Sequence, residues 1–133
     1  MTKIAVDTNI LIYLHEEPSS NKTVRAKEII TESPVISAQV ISEYLNVLKR
    51  LLKVPKLRLI EHCLVLVEAC EIAPIDSHIL AKSKQLLVRY DFQLFDSIIV
   101  ASALEANCSI LYSEDLQHNQ LIENKLTIIN PFI

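Results

Sequence analysis

Lys3-Ile4-Ala5-Val6-Asp7-Thr8-Asn9 is the stretch whose reading decides the fold. An apolar run too short for a helix ends in a carboxylate, a hydroxyl and an amide. Such a run, bounded by polar residues, reads as a buried strand. In an open α/β sheet, ligands bind just beyond the carboxyl ends of the strands. Asp7 is therefore expected at that edge, and the later segments must show whether a sheet exists and what joins Asp7 there.

Working outward, Asn9 to Leu14 forms a short helical turn, and Ser20 or Asn21 caps a helix to about Glu32. Pro34-Val35-Ile36 reads as a second strand, with Ser37 as N-cap of the next helix. From Ala38 to Lys53, Val40, Ile41, Tyr44, Leu45, Leu48, Leu51 and Leu52 recur at helical spacing. Pro55 ends that helix and suits the first turn of another, roughly Lys56 to Ala69. Glu71-Ile72-Ala73-Pro74 is a short strand whose proline favours a sheet edge. Asp76 or Ser77 caps a helix to about Tyr90, and a further helix runs from about Leu94 to Ala106, with Asn107 just beyond it. Ser109–Tyr112 and Leu126–Ile129 are the fourth and fifth strands. This alternation predicts one α/β domain over residues 1–133, with a parallel sheet of four or five strands covered on both faces.

Composition narrows the function. A formal net charge of −3 argues against coating nucleic acid by bulk electrostatics, though it leaves room for a local basic groove. Cys63, Cys70 and Cys108 include no C-x-x-C pair, which suits packed, reduced thiols. Neither a signal-peptide pattern nor an apolar run near ~18 residues is present, so a soluble cytoplasmic protein without a membrane span is expected. The chain has no glycine, which excludes Gly-rich phosphate loops. Positions needing positive φ must then use Asn or Asp, and Asn107 and Asn119 are the candidates.

Four carboxylates fall at comparable places. Asp7 follows strand one, Asp115 follows strand four, Glu43 lies early in the helix after strand two, and Asp96 lies in the opening turn of the helix before strand four. Taken singly, each has an ordinary role. Asp96 complements a helix macrodipole, Asp115 fits a turn, and Glu43 fits a solvated helix position. Glu43 and Asp96, however, both interrupt apolar surroundings. Clustered carboxylates repel, so they must protonate, pair with cations or bind metal. An all-oxygen site prefers Mg²⁺ or Mn²⁺, and no Cys/His set has zinc spacing. The pattern points to metal-dependent phosphoryl or phosphodiester chemistry.

Asp7-Thr8-Asn9, the run from Ser37 to Glu43, the run from Phe95 to Ala101 and the run from Tyr112 to His118 resemble the acidic motifs of PIN-domain nucleases. From about Lys3 to Phe132 the chain is similar to the single-domain VapC-type toxins of bacterial toxin–antitoxin pairs. That resemblance implies a PIN-like three-layer α/β/α sandwich and an endoribonuclease that hydrolyses RNA with a water activated by Mg²⁺ or Mn²⁺. It places Asp7, Glu43 and Asp96 at three core acidic positions and Asp115 at a more variable fourth, with Thr8 and Asn9 supporting them. It also implies a small antitoxin partner and a homodimer. Relatives of this kind often carry glycine where Asn107 and Asn119 stand here.

Two other readings share the parallel α/β class. A receiver-like phosphoacceptor needs an acidic pair after strand one and a lysine after a late strand, and neither is evident. A non-catalytic RNA- or protein-binding module is the other. Lys49, Arg50, Lys53, Lys56 and Arg58 form either an RNA-backbone contact or a solvated surface. His118 is either a phosphate contact or a surface turn residue, and Glu114 either an auxiliary metal residue or a loop residue. The apolar helices Leu45–Leu52 and Leu57–Leu66 exceed the obvious needs of one core; this is either ordinary burial or, as the resemblance implies, in part an interface.

Overall fold

In the computed structural model, which describes residues 2–133, β1 (Ile4–Val6) is buried along its whole length. It pairs in parallel with β2 (Val35–Ser37) on one side and β4 (Ile110–Tyr112) on the other. Beyond them lie β3 (Glu71–Ala73), β5 (Leu121–Ile122) and β6 (Leu126–Ile129), in the order β3-β2-β1-β4-β6-β5. Every pairing is parallel except β5 with β6. Strand β3, followed by Pro74, takes the edge position that its proline favours.

The described residues hold six strands rather than the four or five expected. The extra one is β5, a two-residue strand in a tight hairpin with β6. The Lys125 amide donates to the Ile122 carbonyl, and both central residues, Glu123 and Asn124, have positive φ. That is the backbone of a type I′ hairpin turn. Glu-Asn is a weak signal for it, because only Asn tolerates positive φ well.

Six α-helices surround the sheet in an α/β sandwich: α1 (Thr8–Ile12), α2 (Asn21–Ile30), α3 (Ala38–Leu52), α4 (Lys56–Glu68), α5 (Ser77–Arg89) and α6 (Leu94–Glu105). A 3-10 turn, Tyr13–His15, continues α1. Helix α6 is buried at every position from Ser97 to Leu104, because it packs on β2, β4, α3 and α5 together. A helix apolar all round belongs in such a place. Since β1, β2 and β4 are parallel, their carboxyl ends share one edge of the sheet. The link from α6 into β4 is short, so α6 runs against β4 and its N-terminus returns to that edge. Asp96, in the first turn of α6, is thereby brought towards the strand ends.

Cys63 and Cys108 are buried, Cys70 is half-buried, and all three are unpaired thiols. Burial pushes the Cys108 thiol up to about 11, consistent with packing rather than reactivity. No helix among the described residues is long and apolar enough to cross a membrane.

Without glycine, positive φ falls on Asn107, Asn119 and Asn124, but also on Ser33, Lys53 and Glu123. The expectation of Asn or Asp alone was therefore too narrow. Lys53 closes α3 in the left-handed region at φ 52°, where a Cβ costs about 1–2 kcal/mol. Lys53→Gly is expected to raise stability by about 0.5–1 kcal/mol after the added chain entropy of glycine. A urea midpoint equal to or below that of the wild type contradicts this.

Candidate functional site

Asp7 leaves the sheet at the end of β1 and caps α1, its Oδ1 accepting the Thr8 amide at 2.7 Å. Strand register sets Val6 beside Tyr112, which carries the chain after β4 past the same point. The Asp7 amide donates to the Tyr112 carbonyl at 2.9 Å, and the Ser113 hydroxyl donates to Asp7 Oδ2 at 2.7 Å. The same Ser113 oxygen accepts the Leu116 amide at 3.2 Å, which folds residues 113–116 into a turn. Ser113 was absent from the expected site. Its signal is the serine three residues before Leu116 at the end of a strand, a capping pattern.

Asn9 ties the second acid to the first. Its Nδ2 donates to Asp115 Oδ2 at 3.0 Å, and its Oδ1 accepts the Glu114 amide at 3.3 Å. Glu43 arrives on α3, whose start is set by Ser37 Oγ accepting the Gln39 amide at 3.1 Å. Gln39 Nε2 in turn donates to the half-buried Glu43 carboxylate at 3.3 Å. Asp96 lies in the first turn of α6, half-buried.

Electrostatics join the four carboxylates into one group. Burial pushes Asp7 from 3.8 up to about 6, and the charges of Asp96 and Glu43 push the same way against the Ser113 and Thr8 hydrogen bonds. Burial raises Glu43, with Asp96 adding to it. Burial also raises Asp96, and there the added charge is that of Asp115. The ion pairs among the described residues involve none of the four acids.

Asp7 is only 5% exposed, so an unpaired negative charge is being held in a poor solvent. The Thr8 hydroxyl is also buried without a hydrogen-bond partner. It is close enough to Glu43 to oppose the rise of that carboxyl slightly, but not in hydrogen-bond geometry. An all-oxygen donor set with excess negative charge and an orphaned hydroxyl fits a hard divalent cation. No three His, Cys, Asp or Glu side chains among the described residues converge closely enough to ligate one ion together. Mg²⁺ commonly takes one or two carboxylates and keeps several waters, so the spread of the acids is compatible with it.

Two neighbours have other duties. Glu114 accepts from Lys22 Nζ and from the Tyr13 hydroxyl, each at 2.5 Å. Burial would raise its carboxyl, but the Lys22 and Tyr13 contacts outweigh that and lower it. Glu114 thus ties the 113–115 turn to α2 and the 3-10 turn. His118 Nδ1 accepts the Asn130 amide at 2.9 Å, which makes it a turn residue.

A family model described as PIN domain matches residues 4–123. The sequence has no significant match among curated proteins. Among solved structures, the chain is similar to a toxin–antitoxin complex from Klebsiella pneumoniae, with TM-score 0.71, 22% identity and 98% of each chain covered. It is similar to FitAcB from Neisseria gonorrhoeae, with TM-score 0.69 and 18% identity, covering 97% of this chain and 98% of that one. A third is a VapC toxin of Mycobacterium tuberculosis described as cleaving the sarcin-ricin loop, with TM-score 0.67 and 18% identity over 85% of this chain and 90% of that one. At such identities these likenesses concern the fold.

Proposed function

The chain belongs to the PIN-domain family, and on that premise we propose that it is a metal-dependent endoribonuclease, the toxin of a cytoplasmic toxin–antitoxin pair. The observation that carries the reading is the buried, unpaired Asp7 charge, coupled to Glu43 and Asp96 and through Asp96 to Asp115. RNA as the substrate class is supported by the Mycobacterium tuberculosis neighbour, described as cleaving the sarcin-ricin loop.

Asp7, Glu43, Asp96 and Asp115 would hold Mg²⁺ or Mn²⁺, directly or through water. Bound there, the ion would supply water activation and charge neutralisation for hydrolysis of a phosphodiester. The chain's own groups provide orientation. Ser113 and the Thr8 amide fix both oxygens of Asp7. Asn9 holds Asp115 against the turn after β4, and Gln39 restrains Glu43. The Thr8 hydroxyl, buried beside Glu43, has no hydrogen-bond partner of its own.

The antitoxin and a second copy of the chain are the protein partners in this reading. Leu51, Leu57, Ile60, Leu64 and Val65 stand exposed across α3 and α4 and support such contacts. The neighbours described as toxin–antitoxin complexes support the antitoxin.

The test is incubation of the purified protein with single-stranded RNA in Mg²⁺ or Mn²⁺, with EDTA in a parallel reaction. Internal cleavage that requires the ion is expected. Digestion undiminished by EDTA, or none with either ion, overturns the reading, and the second result is that of a non-catalytic binding module.

A further inference from the structure

Two adjacent acids follow β4, and packing gives them different tasks. Both oxygens of Glu114 are taken: Oε1 accepts the Tyr13 hydroxyl and Oε2 accepts Lys22 Nζ, each at 2.5 Å. Asp115 is exposed, and among the described residues only its Oδ2 is engaged, by Asn9 Nδ2. Its charge is nevertheless felt at Asp96. An exposed turn has little packing of its own to fix it, so the place of Asp115 depends on its neighbours.

On the side of β1 the turn is held by Ser113 and Asn9. On the side of α2 it is held through Glu114. Lys22, in the first turn of α2, closes a triangle there. Its Nζ donates to Glu114 Oε2 and, at 3.1 Å, to Tyr13 OH, which itself donates to Glu114 Oε1. The same ammonium lies 4.9 Å from the centre of the Tyr13 ring and 5.6 Å from that of Phe132. Those two rings meet edge to face, 5.0 Å apart at 74°.

Phe132 is set in place by a local turn, its amide donating to Asn130 Oδ1 at 2.9 Å. The Asn130 amide donates in turn to His118, three residues beyond Asp115. The C-terminal residues therefore grip the far end of the same loop and also pack against Lys22 and Tyr13.

The Lys22 and Glu114 side chains are 45% and 24% exposed, and ion pairs so open to solvent contribute little to global stability. What this pair fixes is position. Groups behind a metal ligand raise affinity by orienting it before the ion arrives.

We propose that Lys22 is a positioning residue for the acidic centre: through Glu114 it holds the turn that presents Asp115 to the cation. The proposal rests on reading the four acids as a cation site. The sign of its effect separates it from simple charge. By Coulomb's law an ammonium near the acids opposes a divalent cation, so removing it would tighten binding. Loss of positioning weakens binding instead.

The test is titration of the purified, RNA-free protein with Mn²⁺, the free ion being followed by electron paramagnetic resonance. Lys22→Met, which keeps an aliphatic stem, is expected to weaken Mn²⁺ binding about tenfold. Lys22→Arg should recover most of the loss. Added to Asp115→Asn, Lys22→Met should cost less than about twofold more, because the ligand it serves is already gone. The metal-free melting temperature of Lys22→Met should fall by no more than a few degrees. Unchanged or tighter Mn²⁺ binding in Lys22→Met, beside a wild type that binds the ion, overturns the proposal and keeps the cation site. An undiminished tenfold loss in the Asp115→Asn background overturns it too, because Lys22 then acts elsewhere. So does a melt far below wild type, which would assign Lys22 to the fold at large. A wild type that binds no Mn²⁺ rejects the cation site itself.

Discussion

Asp7→Asn is expected to abolish RNA cleavage and, in the metal-free protein at about pH 7.5, to raise the melting temperature. Burial, with Asp96 and Glu43 adding to it, holds the folded-state value of Asp7 near 6 against 3.8 for the free side chain. The folded protein therefore binds more protons than the unfolded one between those values. The contribution of this group favours folding fully below the unfolded value and is lost as pH rises through the folded one. A shift of about two units corresponds to roughly 3 kcal/mol as an upper bound. That shift is already net of the Ser113 and Thr8 hydrogen bonds, which favour the charged form, so asparagine relieves up to the whole penalty. A gain of about 1–3 kcal/mol, several degrees in Tm, is expected. The difference should shrink as pH falls through about 6 and vanish only below about 3, where Asp7 is neutral in both states. A variant that melts below wild type at neutral pH in EDTA contradicts the claim that the Asp7 charge is uncompensated.

The second large effect is stabilisation by the cation itself. Mn²⁺ at about a hundred times its dissociation constant should contribute about 2.7 kcal/mol. For a chain of this size that is roughly 10 °C in Tm. Asp96→Asn should lose most of the increase, because Asp7, Glu43 and Asp115 are all electrostatically linked to Asp96. The increase should grow as pH rises through about 6, since protons and cation compete for Asp7. Calorimetric or fluorescence melts check both points. A wild type indifferent to Mn²⁺, or an Asp96→Asn protein that responds equally, contradicts the metal centre.

What the sequence made legible was local. The run Ile4–Val6 before Asp7, the cap at Ser37 and the helical spacing after it are patterns within one element, and the structure places them as expected. The helix expected from about Leu94 to Ala106 likewise stands, as α6. Contacts created by packing were hidden. Ser113 lies 106 residues from Asp7, and its bond exists only because register sets Val6 beside Tyr112. The Lys22–Glu114 pair joins residues 92 apart. Within α3 the helical period already turns Lys49 and Arg50 about 100° apart, but which depressions their faces line is set by packing. The hairpin of β5 and β6 was missed because Glu123 takes a conformation for which its residue type gives no hint.

The most direct test of the acidic centre is cleavage of one labelled RNA, with Mn²⁺ held constant, by wild type, Asp7→Asn, Glu43→Gln and Asp96→Asn. If these acids form a metal-dependent ribonuclease site, wild type cuts internally and each variant falls by about 100-fold or more while retaining a cooperative melt. Cleavage by the folded variants at the wild-type rate would contradict that assignment.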